Sequence, residues 1–193
     1  LLARGLTSVV SNLPYSVASR LLVELCEAEH APSRMVVTVQ SEVAERLAAA
    51  PDGADYGLLS ILAQLRFTVD IRRSIRPTCF YPPPKVQSAI VALSRRPDPV
   101  PPAFHRERIK QLARAAFAHR RKQLATIFRQ ESQLIPPGME AQDWLALACV
   151  PPHVRPAELT LNDWIRLAAV GIDSEKKETG ADASVSSTAM RHS

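Results

Sequence analysis

The sequence predicts an α/β fold, a sheet that begins with a parallel βαβ unit and closes with an antiparallel hairpin, followed by a small all-helical part. Three observations carry this. Short apolar, β-branched runs at residues 7–11, 34–39, 67–71 and 86–93 are separated in the first half by stretches of helical period. A proline-rich stretch, Arg95-Arg96-Pro97-Asp98-Pro99-Val100-Pro101-Pro102, interrupts that pattern. Beyond it the apolar residues recur only at helical spacing.

Composition narrows the function classes. At 193 residues, 46% hydrophobic and 22% charged, the chain is globular and long enough for one ordinary domain or two small ones. Its net charge of +5 is unevenly spread: residues 105–129 hold eight Lys and Arg against one Glu, +7, which leaves −2 for the rest. A basic segment on a near-neutral body points to a polyanionic partner. Cys26, Cys79 and Cys149 form no C-x-x-C pair and the five histidines lack ligand spacing, so no disulfide framework or metal site is expected. With no membrane-length apolar run and no secretory segment, a cytoplasmic protein is expected.

The first strand, residues 7–11, runs into Asn12-Leu13-Pro14-Tyr15. In open α/β sheets ligands bind at the carboxyl ends of strands. These four residues suit methylation of a planar exocyclic amine, a poor nucleophile because its lone pair is delocalised into the ring. The Asn12 side-chain oxygen and the Leu13 carbonyl would hold its hydrogens, Pro14 would stiffen the turn, and Tyr15 would offer a stacking face. No strong general base is required. On these residues alone, a strand ending in a tight turn is an equal alternative.

Residues 16–28 place Ala18, Leu21, Leu22, Leu25 and Cys26 on one helical face, and Pro32 ends the element. Residues 34–39, nearly all apolar, read as a buried parallel strand. Ser41 is a candidate cap for a helix over 42–49 with Val43 and Leu47 inward, completing a βαβ pattern. Pro51-Asp52-Gly53 is a turn, and Tyr56-Gly57 introduces a helix over 58–65. The strands beginning at 67 and 86 predict a closing antiparallel hairpin. Its loop, residues 77–85, holds Phe80 and Tyr81 beside Pro82-Pro83-Pro84; it reads as a stiff binding loop, a rigid loop with a core aromatic, or a polyproline ligand for another domain.

In the helical part Ile109, Leu112, Ala113, Ala116 and Phe117 form one stripe, with Arg106, Lys110 and Arg114 on other faces. Arg120-Arg121-Lys122 is expected to open a second helix with Leu124, Ile127 and Phe128 inward, so that its cations either grip RNA phosphates or form a solvated face. Helices over 141–149 and 162–169 follow, the latter with a capping box between Thr160 and Asp163. Residues 171–193 read as a disordered tail.

The ordered set Asn12-Leu13-Pro14-Tyr15, Gln40-Ser41-Glu42-Val43, Tyr56-Gly57, residues 80–88 (Phe-Tyr-Pro-Pro-Pro-Lys-Val-Gln-Ser) and residues 116–122 (Ala-Phe-Ala-His-Arg-Arg-Lys) resembles the KsgA/RsmA family of ribosomal RNA adenine N6,N6-dimethyltransferases. Related 23S rRNA methyltransferases share the first motif and the Phe-x-Pro-x-Pro-x-Val loop, but the Ala-Phe-x-x-Arg-Arg-Lys helix argues against them. The resemblance implies the C-terminal part of a Rossmann-like S-adenosylmethionine-dependent methyltransferase sheet over 1–96, a linker over 97–103 and a helical RNA-binding domain over 104–170. It implies that Asn12, Leu13, Pro14 and Tyr15 are catalytic and that Tyr15 and Phe80 sandwich the turned-out base. Asn12 and Pro14 would also touch S-adenosylmethionine, while Lys85, Arg114, Arg120, Arg121 and Lys122 would bind RNA. The six glycines never form G-x-G, so most of the cofactor pocket and the first three strands of such a sheet are expected to lie outside this sequence. The implied partner is small-subunit rRNA or the 30S precursor, met by a monomer without a metal. A non-enzymatic RNA-binding assembly or transcription factor on the same scaffold is the alternative.

Overall fold

The structure, a computed structural model, describes residues 7–97 and 101–171, so the expected tail beyond residue 171 and the middle of the linker lie outside it. Strand β1 (Ser8–Asn12) leads through helix α1 (Ala18–Glu27) to β2 (Arg34–Gln40), which pairs with it in parallel. Helices α2 (Ser41–Ala48) and α3 (Leu58–Gln64) precede β3 (Phe67–Ile75) and β4 (Ser88–Arg95). The antiparallel hairpin β3–β4 is present, and β4 lies between β2 and β3, giving the order β1-β2-β4-β3.

All three helices pack on one face of the sheet. Leu22, Cys26, Val43, Leu47, Leu59 and Ala63 bury Met35, Val37, Val39, Ala89, Val91 and Leu93. The other face is not covered by a helix among the described residues: Val36, Ile90 and Ala92 are partly exposed and Val10 is 83% exposed. Strand β2 is therefore buried on one side only, although its unbroken apolar run predicts burial on both. Leu21, expected inward, is 37% exposed because α1 has only one side to bury.

Ser41 does not cap α2. Gln40 occupies that position, no side chain caps the helix, and the Ser41 N–H instead donates to the Gln87 carbonyl at 3.0 Å, locking the helix start to the entrance of β4.

The helical part consists of α4 (Ala103–Ala118), α5 (Leu124–Gln130), α6 (Ala141–Leu147) and α7 (Leu161–Ala169). Its core joins Ile109, Leu112, Phe128, Trp144 and Trp164 to Tyr56, Ile61 and Leu65 from before the proline-rich stretch. Helix α3 thus serves both cores, with Leu59 and Ala63 turned to the sheet and Ile61 turned to the helices. The buried Tyr56 hydroxyl donates to the Leu159 carbonyl at 2.9 Å, and burial pushes its pKa up to about 12. Lys110 adds an ion pair to Glu27 at 2.8 Å between α4 and α1, which raises the lysine pKa chiefly through that hydrogen bond.

Two expected helix boundaries move. Helix α6 ends at Leu147, and Cys149 sits in the left-handed region at φ 54°. Arg120-Arg121-Lys122 lies in the turn between α4 and α5, because His119 already has the nonhelical ψ of 44° that ends α4. The capping box at α7 forms as predicted: Thr160 Oγ1 accepts from the Asp163 N–H and the Asp163 carboxylate accepts from the Thr160 N–H at 2.8 Å.

Candidate active site

At the end of β1 the Leu13 N–H donates to the Thr38 carbonyl at 3.1 Å, which keeps the backbone in sheet register one residue past the strand. The Leu13 side chain is buried in the sheet core, fixing the rotation of the segment. The chain then turns at once, because the Pro14 carbonyl accepts from the Val17 N–H at 3.1 Å. Among the described residues neither the Asn12 side chain nor the Leu13 carbonyl has a hydrogen-bond partner. Both belong to residues lining an open cavity of about 370 Å³, within the usual range of roughly 300–1,000 Å³ for a small-molecule site.

The opposite wall comes from the β3–β4 loop. A short turn at Pro77–Cys79, closed by the Phe80 N–H donating to the Pro77 carbonyl at 3.1 Å, delivers Phe80 to the cavity. Tyr81, Pro82 and Pro84 complete the lining with Pro14 and Tyr15. The two walls are tied together by the Tyr15 and Ser88 hydroxyls, 2.6 Å apart and hydrogen bonded. Ser88 is buried, whereas Tyr81 is fully exposed on the rim. Neither was given a role from sequence. The signal for Ser88 was its place in the loop motif, one residue before the alternating apolar positions of β4.

Among the described residues no carboxylate, imidazole or amine side chain lines this cavity. The arrangement therefore offers aromatic and proline walls for a flat ring and hydrogen-bond acceptors at one edge, without an acid or base for strong proton transfer. That suits a substrate whose proton becomes acidic once the reacting nitrogen carries positive charge.

The basic residues predicted to meet RNA do not converge on the cavity. Lys85 is exposed on the same loop, just past Pro84, and Arg114 is exposed on α4. Arg120 is half-buried: it donates to the Gly53 carbonyl at 2.8 Å and its guanidinium lies 5.9 Å from the Phe117 ring centroid. Lys122 donates to the Gln130 side chain at 3.1 Å, and Arg121 is exposed. Among the described residues no group of three or more His, Cys, Asp or Glu is placed to hold a metal, and no helix is long and apolar enough to cross a membrane.

Comparison with known proteins now decides the family. The profile of the ribosomal RNA adenine dimethylase family matches residues 6–138. The chain belongs to that family. A "Ribosomal RNA small subunit methyltransferase A" from Anaeromyxobacter dehalogenans is 39% identical over 160 residues, covering 83% of this chain and 55% of its own length. The protein of that name from Pseudomonas aeruginosa is 40% identical over 162 residues, covering 83% and 57%. The chain thus spans about half the length of the curated relatives it matches. In fold it resembles the crystal structure of a dimethyladenosine transferase from Plasmodium falciparum, with a TM-score of 0.70 at 24% identity, over 90% of this chain and 68% of that one. The dimethylase family consists of S-adenosylmethionine-dependent methyltransferases, and the sheet with its C-terminal helical part is the fold expected from the motifs.

Proposed function

We propose that this chain supplies the base-binding side of an enzyme that dimethylates N6 of adenosines in a small-subunit rRNA hairpin during ribosome assembly. The observation that carries the proposal is the cavity lined by Asn12, Leu13, Pro14, Tyr15 and Phe80, with the Asn12 amide and the Leu13 carbonyl unpaired among the described residues. The adenine, turned out of its stack, lies between Tyr15 and Phe80. Its N6 hydrogens are accepted by the Asn12 side-chain oxygen and the Leu13 carbonyl, which orients the nitrogen lone pair out of the ring plane. Tyr15 is held against Ser88, so the stacking face is set before the base arrives.

Asn12 is exposed at the carboxyl end of β1, the edge strand, and with Pro14 it would border S-adenosylmethionine, which when bound supplies an electrophilic methyl group. The described residues bring no glycine-rich turn to that edge, so these two residues form only part of a cofactor site. Lys85, Arg114, Arg121 and Lys122 supply surface charge for the rRNA of the 30S precursor, and Arg120 braces the turn that presents two of them. The helical residues 104–170 are the RNA-binding part, and the residues up to 96 the substrate side of the methyltransferase domain. The protein acts as a cytoplasmic monomer.

The test is single-turnover methyl transfer from S-adenosylmethionine to small-subunit rRNA by the polypeptide that carries this chain, with and without Asn12→Ala. Transfer that depends on Asn12 supports the reading. Tight rRNA binding with no transfer to N6 would move the chain to the non-catalytic assembly-factor reading.

A further inference from the structure

We infer that the outer strand β3 and the loop after it form a second RNA contact, in which Arg73 and Arg76 hold backbone phosphates flanking the turned-out base. The inference rests on the proposed rRNA reading and deepens it. Residues 70–85 contain Arg72, Arg73, Arg76 and Lys85 against the single acid Asp70, a basic cluster concealed in the whole-chain count by acidic residues elsewhere in the first half.

Strand register places this cluster beside the site. Asn12 pairs with Thr38, Thr38 with Ile90 and Ile90 with Arg73, so Asn12 and Arg73 end one row across the four strands, on the face that no helix covers among the described residues. At about 4.8 Å per strand the row spans roughly 14 Å, a distance of two or three nucleotides' reach along a single strand. Ile75 pairs with Ser88, which holds Tyr15, so Arg76 leaves the strand next to the cavity wall.

The charges there are also uncommitted. Arg72 pairs with Asp70 at 2.9 Å, but the side chains of Arg73 and Arg76 have no hydrogen-bond or ion-pair partner among the described residues. Both are exposed, and Tyr81 stands fully exposed on the intervening loop. Unpaired cations and an exposed aromatic ring carried on one strand and the loop after it are the elements from which single-stranded nucleic acid sites are built. A bulged, charged edge strand also deters edge-to-edge association, and that role needs charge of either sign. The sign of the charge is therefore what separates the two roles.

The experiment measures binding of a fluorescent small-subunit rRNA hairpin to the full chain over a salt series. The variants are Arg73→Gln/Arg76→Gln, Arg73→Lys/Arg76→Lys and Arg73→Glu/Arg76→Glu, each checked for an unchanged unfolding midpoint. At about 0.7 in log–log salt slope per single-strand phosphate, the Gln pair should flatten the slope by about 1.4 and weaken binding on the order of tenfold at low salt. The Lys pair should retain the slope, and the Glu pair should remain monomeric while losing more affinity than the Gln pair. Wild-type binding with an unaltered slope in the Gln and Glu pairs overturns the contact and leaves the rRNA reading standing. Absence of hairpin binding by wild type overturns the rRNA reading itself, and the contact with it.

Discussion

The cavity at the end of β1 and the basic turn after α4 were both conspicuous in the sequence, yet they fold to different ends. The cavity gathers Asn12 to Tyr15 with Phe80, Tyr81, Pro82 and Pro84 from opposite ends of the sheet half and leaves the Asn12 amide and the Leu13 carbonyl unpaired among the described residues. The basic turn spends much of its charge internally: Arg120 on the Gly53 carbonyl and the Phe117 ring, Lys122 on Gln130. A short motif at a strand end specifies direction, because the strand fixes where its last residues point. A run of like charges specifies only composition, and the fold decides which cations remain for a partner.

The sharpest way to break this contrast is chemical. Asn12→Ala removes an acceptor and leaves both aromatic walls, so methyl transfer in a single turnover should fall on the order of 100-fold, as for loss of one preorganised polar contact. RNA affinity should hardly change. Near-normal transfer by a folded Asn12→Ala protein would mean that the unpaired amide is not a functional acceptor.

Next in size are the walls. Tyr15→Ala and Phe80→Ala should each cost about 1–3 kcal/mol in holding the turned-out base, since stacking contributes that much per base. A fluorescent base analogue at the target position reads this directly: its emission should stay quenched by stacking in wild type and shift in both variants. A shift in only one of them would show that the base rests on one wall.

How much of this was legible follows the same division. The strand and the turn at Pro14 could be read from local pattern, since periodicity and proline act over a few residues, whereas the pairing of Phe80 with Tyr15 came from the family resemblance alone. The Tyr15–Ser88 tie could not, because it spans 73 positions and depends on β4 entering the sheet beside β2. Nor could the sharing of α3 between two cores, since a helix apolar all round does not declare which neighbour each side meets. Ser41 had the right residue type for a cap, but its backbone N–H was claimed by Gln87, a contact invisible until the hairpin returns.

The basic turn gives the third comparison, within a single tripeptide. Arg120→Ala removes a hydrogen bond to a backbone carbonyl and packing on Phe117, so it should lower stability by about 1 kcal/mol, near the usual net value of such a bond. Arg121→Ala, at an exposed position, should leave the unfolding midpoint alone and reduce the salt slope of RNA binding by about 0.9, the share of one duplex phosphate. Denaturant titration and salt-dependent binding on the same pair of variants separate the roles. If both variants change only the slope, Arg120 is as free as its neighbour and the internal assignment fails.

The smallest expected effect concerns the tie between the cavity walls. Tyr15→Phe keeps the ring but leaves the buried Ser88 hydroxyl without its partner at 2.6 Å. Removing one partner of a part-buried pair should cost about 1 kcal/mol of stability. Adding Ser88→Ala to the Tyr15→Phe variant should then cost little more, because replacing both partners leaves no orphaned hydroxyl. The double-mutant cycle is therefore strongly non-additive if the bond forms. Base holding should weaken less in Tyr15→Phe than in Tyr15→Ala, since the stacking face survives and only its orientation loosens. Additive losses in the cycle would mean that the two hydroxyls act separately, and that the β3–β4 loop is positioned by its prolines alone.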